Sequence, residues 1–181
     1  MSRHTRGQRG QAMIEFGLVA PLLFFLIFGI VEGGTAVFAA ESAHFAAHDA
    51  ALAVALAGTD ANADKDGLAK IQQSFVGTTS VVTVDYVDVD VLVPDTQCNP
   101  KVLGGNRYTL DGHSIASPNG AWPVGVSRSN GAGSGWLVQV SVQYHYPFRV
   151  GFLGDRPLTQ TATAIAPMPP TGAVPPPSTG C

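Results

Sequence analysis

Charged side chains are scarce in this 181-residue chain, at 13% of the residues, while apolar residues make up 45%. Three of the ten basic residues, Arg3, Arg6 and Arg9, lie in the first ten positions, which leaves seven against 13 acids in the rest of the chain. The part after Gly10 therefore carries no basic stripe of the kind that binds nucleic acid, and we expect no such partner. The basic head instead indicates a cytoplasmic tether next to a membrane segment.

Cysteine and catalytic motifs are also scarce. The two cysteines, Cys98 and Cys181, are too few for a zinc framework but suffice for one disulfide. An oxidising compartment beyond a membrane would permit that bond. We predict it, and two free thiols are the open alternative. The chain has no nucleophile elbow, phosphate-binding loop or Cys-x-x-Cys motif. We therefore expect neither an enzyme nor a cofactor.

The most prominent feature that is present is an apolar run at residues 12–31, AMIEFGLVAPLLFFLIFGIV, whose one charged residue is Glu15. At about 1.5 Å per residue, a helix of this length crosses the roughly 30 Å hydrocarbon core of a bilayer. A cleaved secretory signal, with Gly34-Thr35-Ala36 as its site, should have an apolar core of only about 7–15 residues. The run therefore predicts a retained single span in membrane lipid, with its N-terminus in the cytoplasm.

The helical pattern continues beyond this run. Large apolar residues recur every seven positions, at Phe24, Val31, Phe38, Phe45 and Leu52. Alanines fill the positions around them, and Gly58 is typical of a helix C-cap. We predict one helix over residues 11–58. Its apolar stripe packs on the chain's own outer domain, contacts neighbouring helices in an assembly, or does both along different stretches, and the sequence leaves these open.

Residues 59–166 have the pattern of a small outer domain. Asp66 is predicted to cap a short helix, Gly67–Phe75. Alternating apolar residues then change phase near Tyr86, which predicts a bulged strand. Asp88 and Asp90 share one face of that strand and mark it as solvated.

The rest of the outer domain divides into loops and two strands. Gly, Asn, Ser and Pro between Gln97 and Ser134 predict long loops with a short strand. Alternation at 138–146 and 158–166 predicts an antiparallel pair. The Pro-rich tail, residues 167–181, should be extended or disordered. The predicted class is α+β: a long N-terminal helix, its first half transmembrane, followed by a small antiparallel sheet.

Two polar patterns resemble metal sites. Glu41, His44 and His48 lie on one face of the long helix, with the His-x3-His spacing of zinc-binding helices but without the metalloprotease glutamate. Asn62-x-Asp64-x-Asp66-Gly67 resembles the start of a calcium loop, but Gln73 stands where the bidentate glutamate belongs. We interpret the first as a polar helix face and the second as a solvated turn, and we predict no metal site.

Glu15 is costly near the start of a membrane helix, so it indicates either a function or snorkelling to the interface. Its context, RGQAMIEFGLVAPLLFFLIFGIVEGG, resembles the N-terminus of TadE-family proteins of the Flp (Tad) pilus system, and is similar to class III signal peptides of type IV pilins. Near the other end, WLVQVSVQYHYPF and PLTQTATAIAP resemble that family's closing strand pair.

This resemblance implies cleavage by a prepilin peptidase after Gly10, which makes Gln11 the new N-terminus and residues 1–10 a cytoplasmic leader. Glu15 corresponds to the family's glutamate and Pro21 to its helix proline. After the membrane segment the chain reads SAHFAAHDAALAVALAG, without the basic residues common in the family. Independently of the family, Gly29 and Gly33 form a small-xxx-small face suited to close helix contact.

The function implied by the resemblance is that of a minor pilin or pseudopilin, which helps to assemble an adhesive Flp-type pilus by helix packing. It would lie in the bacterial inner membrane, with a periplasmic outer domain, or in a surface pilus. Its partners would be other pilin or pseudopilin subunits and the Tad inner-membrane machinery. The alternative is a membrane-anchored envelope module that binds a ligand or protein outside any pilus.

Overall fold

The computed structural model of the chain describes residues 5–58, 60–75, 82–95, 97–122, 136–148 and 157–169. These residues form two helices and five strands: α1 (Thr5–Ala57), α2 (Ala63–Phe75), β1 (Thr83–Pro94), β2 (Pro100–Tyr108), β3 (Ser114–Ile115), β4 (Leu137–Tyr146) and β5 (Leu158–Pro167). A long N-terminal helix therefore precedes a small antiparallel sheet, and the predicted α+β class is confirmed.

The strands form one antiparallel sheet in the order β3-β2-β1-β4-β5. β4 and β5 pair along their whole length, which confirms the predicted pair. In the pairing of β1 with β4 the register shifts between Val84 and Tyr86, and this is the predicted bulge. Alternation is a strong guide here because a slip of one residue would turn the buried side chains of a strand to solvent.

β2 occupies part of the region where the sequence predicts long loops with a short strand, and at nine residues it is longer than that prediction. Gly104 and Gly105 concealed the strand, because glycine is disfavoured in strands and has no side chain to alternate. Glycine is nevertheless required at position 105. A Cβ atom there would overlap the carboxylate of Asp90, the residue opposite it in β1.

α1 is a continuous helix of 53 residues that contains Pro21. It begins at Thr5, ahead of the predicted start at residue 11, and ends at Ala57. Gly58 follows with a positive φ of 58° and donates its N–H to the carbonyl oxygen of Val54 at 3.1 Å. Glycine adopts this left-handed conformation without steric strain. The predicted C-cap is therefore confirmed.

The second half of α1 packs on α2, β4 and β5 through its smallest side chains. Those buried are Ala39, Ala43, Ala46, Ala47, Ala50, Ala51, Val54 and Ala55. The valines of β1 and β4 already fill the layer below, so the alanine face lets the helix approach most closely. Phe38 and Phe45 of the apolar stripe are 63% and 68% exposed. The alternative in which the stripe packs on the chain's own domain is therefore wrong.

Candidate assembly surface on the N-terminal helix

The first half of α1 is surrounded by almost no other part of the described chain. Its large apolar side chains are exposed all around the helix, from Met13 to Val31. Among the described residues, Gly10–Ala57 is the one helix long and apolar enough to cross a membrane. A contiguous apolar surface of this size indicates contact with lipid or with another protein.

Gln11 and Glu15 are brought together at the start of this surface. The side-chain amide of Gln11 donates to Glu15 Oε1 at 3.0 Å, because residues four apart meet on one helix face. Gly10 is exposed and lies inside α1. The predicted new N-terminus and the carboxylate are therefore one helical turn apart. Cleavage after Gly10 and an assembly role of Glu15 stay predictions.

Pro21, Gly29 and Gly33, the predicted packing residues, all lie on exposed parts of α1. Apart from the adjacent backbone of α1 itself, no heavy atom lies within 4 Å of where a Cβ atom would stand on either glycine. No other described element packs on these glycines. Their small face is thus open to another helix, which is the condition that the predicted contact requires.

A buried carboxylate, Glu32, joins α1 to the sheet at the point where the apolar run ends. Glu32 is 5% exposed. The hydroxyl of Tyr146, at the end of β4, donates to Glu32 Oε1 at 3.0 Å and lies 2.6 Å from Thr35 Oγ1. The ring of Phe148 meets that of Tyr146 edge-on, with centroids 5.6 Å apart. We call Glu32, Thr35 and Tyr146 the helix–sheet latch.

The latch was not predicted from the sequence. A charge directly after a 20-residue apolar run is a usable signal, but Glu32 could equally have been a solvated end of the span. Its partner lies 114 positions away, and Tyr146 has the alternation of any inward-facing strand residue. The contact fixes the sheet against the helix where the predicted span ends.

Glu41, His44 and His48 are exposed and border a groove between α1 and β5. The groove has a volume of about 490 Å³, and Phe45, Thr163, Ala164 and Ile165 complete its walls. Nδ1 of His48 lies 3.7 Å from a carboxylate oxygen of its neighbour Asp49. In the part of the chain that the structure describes, no three His, Cys, Asp or Glu side chains are arranged to hold a metal ion.

Asp64, the central acid of the calcium-like pattern, has a structural role. It is 3% exposed, and its Oδ2 accepts hydrogen bonds from Asn106 Nδ2 at 3.0 Å and from the Tyr108 hydroxyl at 2.7 Å. The interpretation of this segment as a solvated turn is wrong, because α2 begins at Ala63, ahead of the predicted Gly67. The carboxylate ties α2 to β2.

The outward face of β1 also differs from the prediction of a solvated face. Asp90 is 4% exposed and accepts a hydrogen bond from Asn119 Nδ2 at 3.1 Å. Burial raises the pKa of Asp90, against the lowering effect of the Asn119 hydrogen bond, and the nearby charge of Asp88 raises it further. Asp88 receives two hydrogen bonds from Arg107, at 2.6 and 2.8 Å. The loop after β3 covers this part of the sheet.

Cys98 lies in the turn between β1 and β2, at the end of the sheet where β5 runs out into the tail. It has a positive φ of 65° and is disulfide-bonded. Cys181 lies outside the described residues, so the Cys98–Cys181 pair stays a prediction.

Comparison with protein families matches part of α1. Residues 10–52 match the model of the family described as TadE-like protein. Neither a comparison with curated proteins nor one with solved structures finds a match. The matched residues cover the exposed half of α1, the latch glutamate and most of the alanine face. The resemblance seen in the sequence is therefore confirmed for this segment, and residues 10–52 are similar to the TadE-like family.

Proposed function

We propose that this protein is a minor pilin or pseudopilin that takes part in assembling an adhesive Flp-type pilus. The observation that carries the proposal is the exposed apolar surface of α1 within the TadE-like segment. The chain's own domain covers only the alanine face of the second half, so the large side chains are left for lipid and for other subunits. The protein acts by association and has no catalytic turnover.

The proposed arrangement is a single pass through the bacterial inner membrane. Arg3, Arg6 and Arg9 hold the N-terminus in the cytoplasm, and the sheet lies in the periplasm. The partners are other pilin or pseudopilin subunits, the Tad inner-membrane machinery and, before assembly, a prepilin peptidase that cuts after Gly10.

Glu15 and the Gln11 amine supply the proposed assembly contact. In the uncut chain the side chain of Gln11 already reaches Glu15. Cleavage would add a positively charged amine at the same turn. A carboxylate and an amine are both costly to bury alone in a bilayer, so each is stabilised by the opposite charge on an adjoining helix. This pairing would set the axial register of neighbouring subunits.

N-terminal mass spectrometry of the protein, from membranes that contain its cognate peptidase, tests the proposal. We expect a mature chain that begins at Gln11, and Gly10→Leu should block the cut. Glu15→Gln should leave insertion and cleavage intact but impair pilus assembly, while Asp66→Asn, at an exposed carboxylate on α2, serves as the matched control outside the span. A chain that keeps Met1 to Gly10, or that begins near Val37, would contradict the proposal and favour the anchored envelope module.

A further inference from the structure

Several large apolar side chains are exposed on α1 beyond the end of the apolar run, and three of them recur every seven residues. Phe38, Phe45 and Leu52 are 63%, 68% and 44% exposed; we call them the outer stripe. With the span at residues 12–31, the outer stripe rises along α1 for roughly 30 Å outside the bilayer, at about 1.5 Å per residue. Lipid does not reach these side chains, so among apolar partners only a protein surface could cover them.

The outer stripe continues the apolar pattern of the membrane half without a change of phase. Val31 and Phe24 precede Phe38 at the same seven-residue interval and on the same helix face. A seven-residue repeat keeps one face of a helix on its partner in a left-handed coil, and here each repeat has one apolar position, since Glu41 and His48 stand where a second would lie. The domain of this chain occupies the opposite face, at the alanines, and so leaves the whole repeat accessible from the membrane to Leu52.

An open groove lies beside the outer stripe. It holds about 490 Å³ between α1 and β5, with Phe45 on one wall and Ile165, 47% exposed, on the other. A partner helix on the outer stripe would therefore contact the edge of the sheet as well. The groove and the stripe form one continuous surface.

We propose that α1 of a second copy of this chain occupies this surface, parallel to the first and level with it. The proposal rests on the proposed function in taking residues 12–31 as a membrane span. Every copy then inserts with the same orientation and depth, which makes the two helices parallel and aligns each stripe residue with itself. Phe45 packs on Phe45 and Leu52 on Leu52.

Polar residues beside the outer stripe can pair across the two copies in this arrangement, because an imidazole N–H can donate to a carboxylate. In a parallel pair the residue before one stripe position faces the residue five places further along the other helix. His44 of one copy thus faces Asp49 of the other, and the reverse contact is made at the same time. Glu41 of each copy faces Glu41 of the other, and the repulsion between the two carboxylates opposes the contact. Replacement of Glu41 should therefore strengthen it.

Disulfide cross-linking of the full chain in membranes that contain no other Tad component tests the proposal. Leu52→Cys is the informative variant, because this position is far from the bilayer and is not brought together by membrane crowding alone. Gln73→Cys, exposed on α2, is the matched control, and the wild-type chain with its own two cysteines sets the background. We expect a covalent dimer of Leu52→Cys well above both.

Second substitutions in the Leu52→Cys chain sharpen the result. Phe45→Ala should weaken association by about tenfold, as truncation of a central apolar contact does. Glu41→Gln should increase the dimer, and a decrease would overturn the level arrangement. Equal dimer from Leu52→Cys and Gln73→Cys, or a cross-link to a different protein, would overturn the proposal. Because no peptidase or pilus is needed, an uncut leader would contradict only the proposed function.

Discussion

From Ala39 onward α1 turns alanines toward its own sheet and large apolar residues toward solvent, whereas before that point nearly all of its side chains are exposed. The two halves are equally continuous as helix and both are strongly apolar. Side-chain size, and not hydrophobicity, therefore decides which face the domain covers. A helix that must pack closely on a sheet and also contact other chains can separate these tasks by placing small residues on one face and large residues on the other.

Overpacking the alanine face should have the largest effect. Ala50 is fully buried at the crossing of α1 with α2, next to Val54 and Gly67. Ala50→Leu should lower the free energy of unfolding by about 3 kcal/mol, because the added carbons have no cavity to enter. Urea unfolding of the full chain in detergent, followed by the fluorescence of buried Trp122, measures the loss.

Phe45→Ala is the control for this comparison. It removes more volume than Ala50→Leu adds, but from an exposed face. In the monomeric, detergent-solubilised chain it should change the free energy of unfolding by no more than about 0.5 kcal/mol. An equal loss in the two variants would show that the exposed face of α1 also contributes to the core.

Removal of the Asp64 carboxylate should have the next largest effect, because α2 covers the second half of α1 and Asp64 ties α2 to β2. Asp64→Ala leaves the Asn106 amide and the Tyr108 hydroxyl without this acceptor and should cost about 2 kcal/mol. Asp66→Ala, in the same helical turn but exposed, should cost much less. If calcium stabilised the wild-type chain and neither variant, the structural interpretation of Asp64 would be wrong.

The helix–sheet latch tests the boundary between the two halves. Tyr146→Phe keeps the ring but removes the hydroxyl bond to Glu32, and should cost about 1 kcal/mol. We expect faster amide hydrogen exchange at residues 32–38. Tyr144→Phe removes a bond of the same kind, to Gln160 within the sheet, and should leave that segment unchanged. Equal exchange in both variants would mean that the latch does not hold the helix.

Regular periods account for what could be predicted from the sequence. The seven-residue stripe, the alternation in β4 and β5 and the cap at Gly58 are local patterns, and the structure confirms the elements that they predict. The face of α1 that packs on the sheet was left open because both of its faces are apolar. Only the close approach of the helix to the sheet decides that Ala47 faces the sheet and Phe45 faces solvent.

The elements that were missed depend on partners distant in the chain. Gly105 looks like a loop residue until Asp90 is seen opposite it, and Asp64 looks like a solvated cap until Asn106 and Tyr108 reach it. Polar residues in the sequence indicate exposure on average, but a tertiary contact that satisfies their hydrogen bonds allows burial. Alternation carries no information about such contacts.

Asp90 supplies the smallest predicted effect and shows that burial of this carboxylate is tolerated and does not stabilise the fold. Because burial raises its pKa in the folded chain, the folded state holds the proton more tightly than the unfolded state. The stability from this group is thus present in full below the unfolded pKa of about 3.8, and is lost as the pH rises through the raised value.

Asp90→Asn removes this loss and still accepts the hydrogen bond from Asn119 through its amide oxygen. Between about pH 4 and pH 7 the free energy of unfolding of the variant should therefore fall less, or rise more, than that of the wild-type chain. Urea unfolding across this range measures the difference between the two curves, and identical curves would show that Asp90 titrates alike in the folded and unfolded chain.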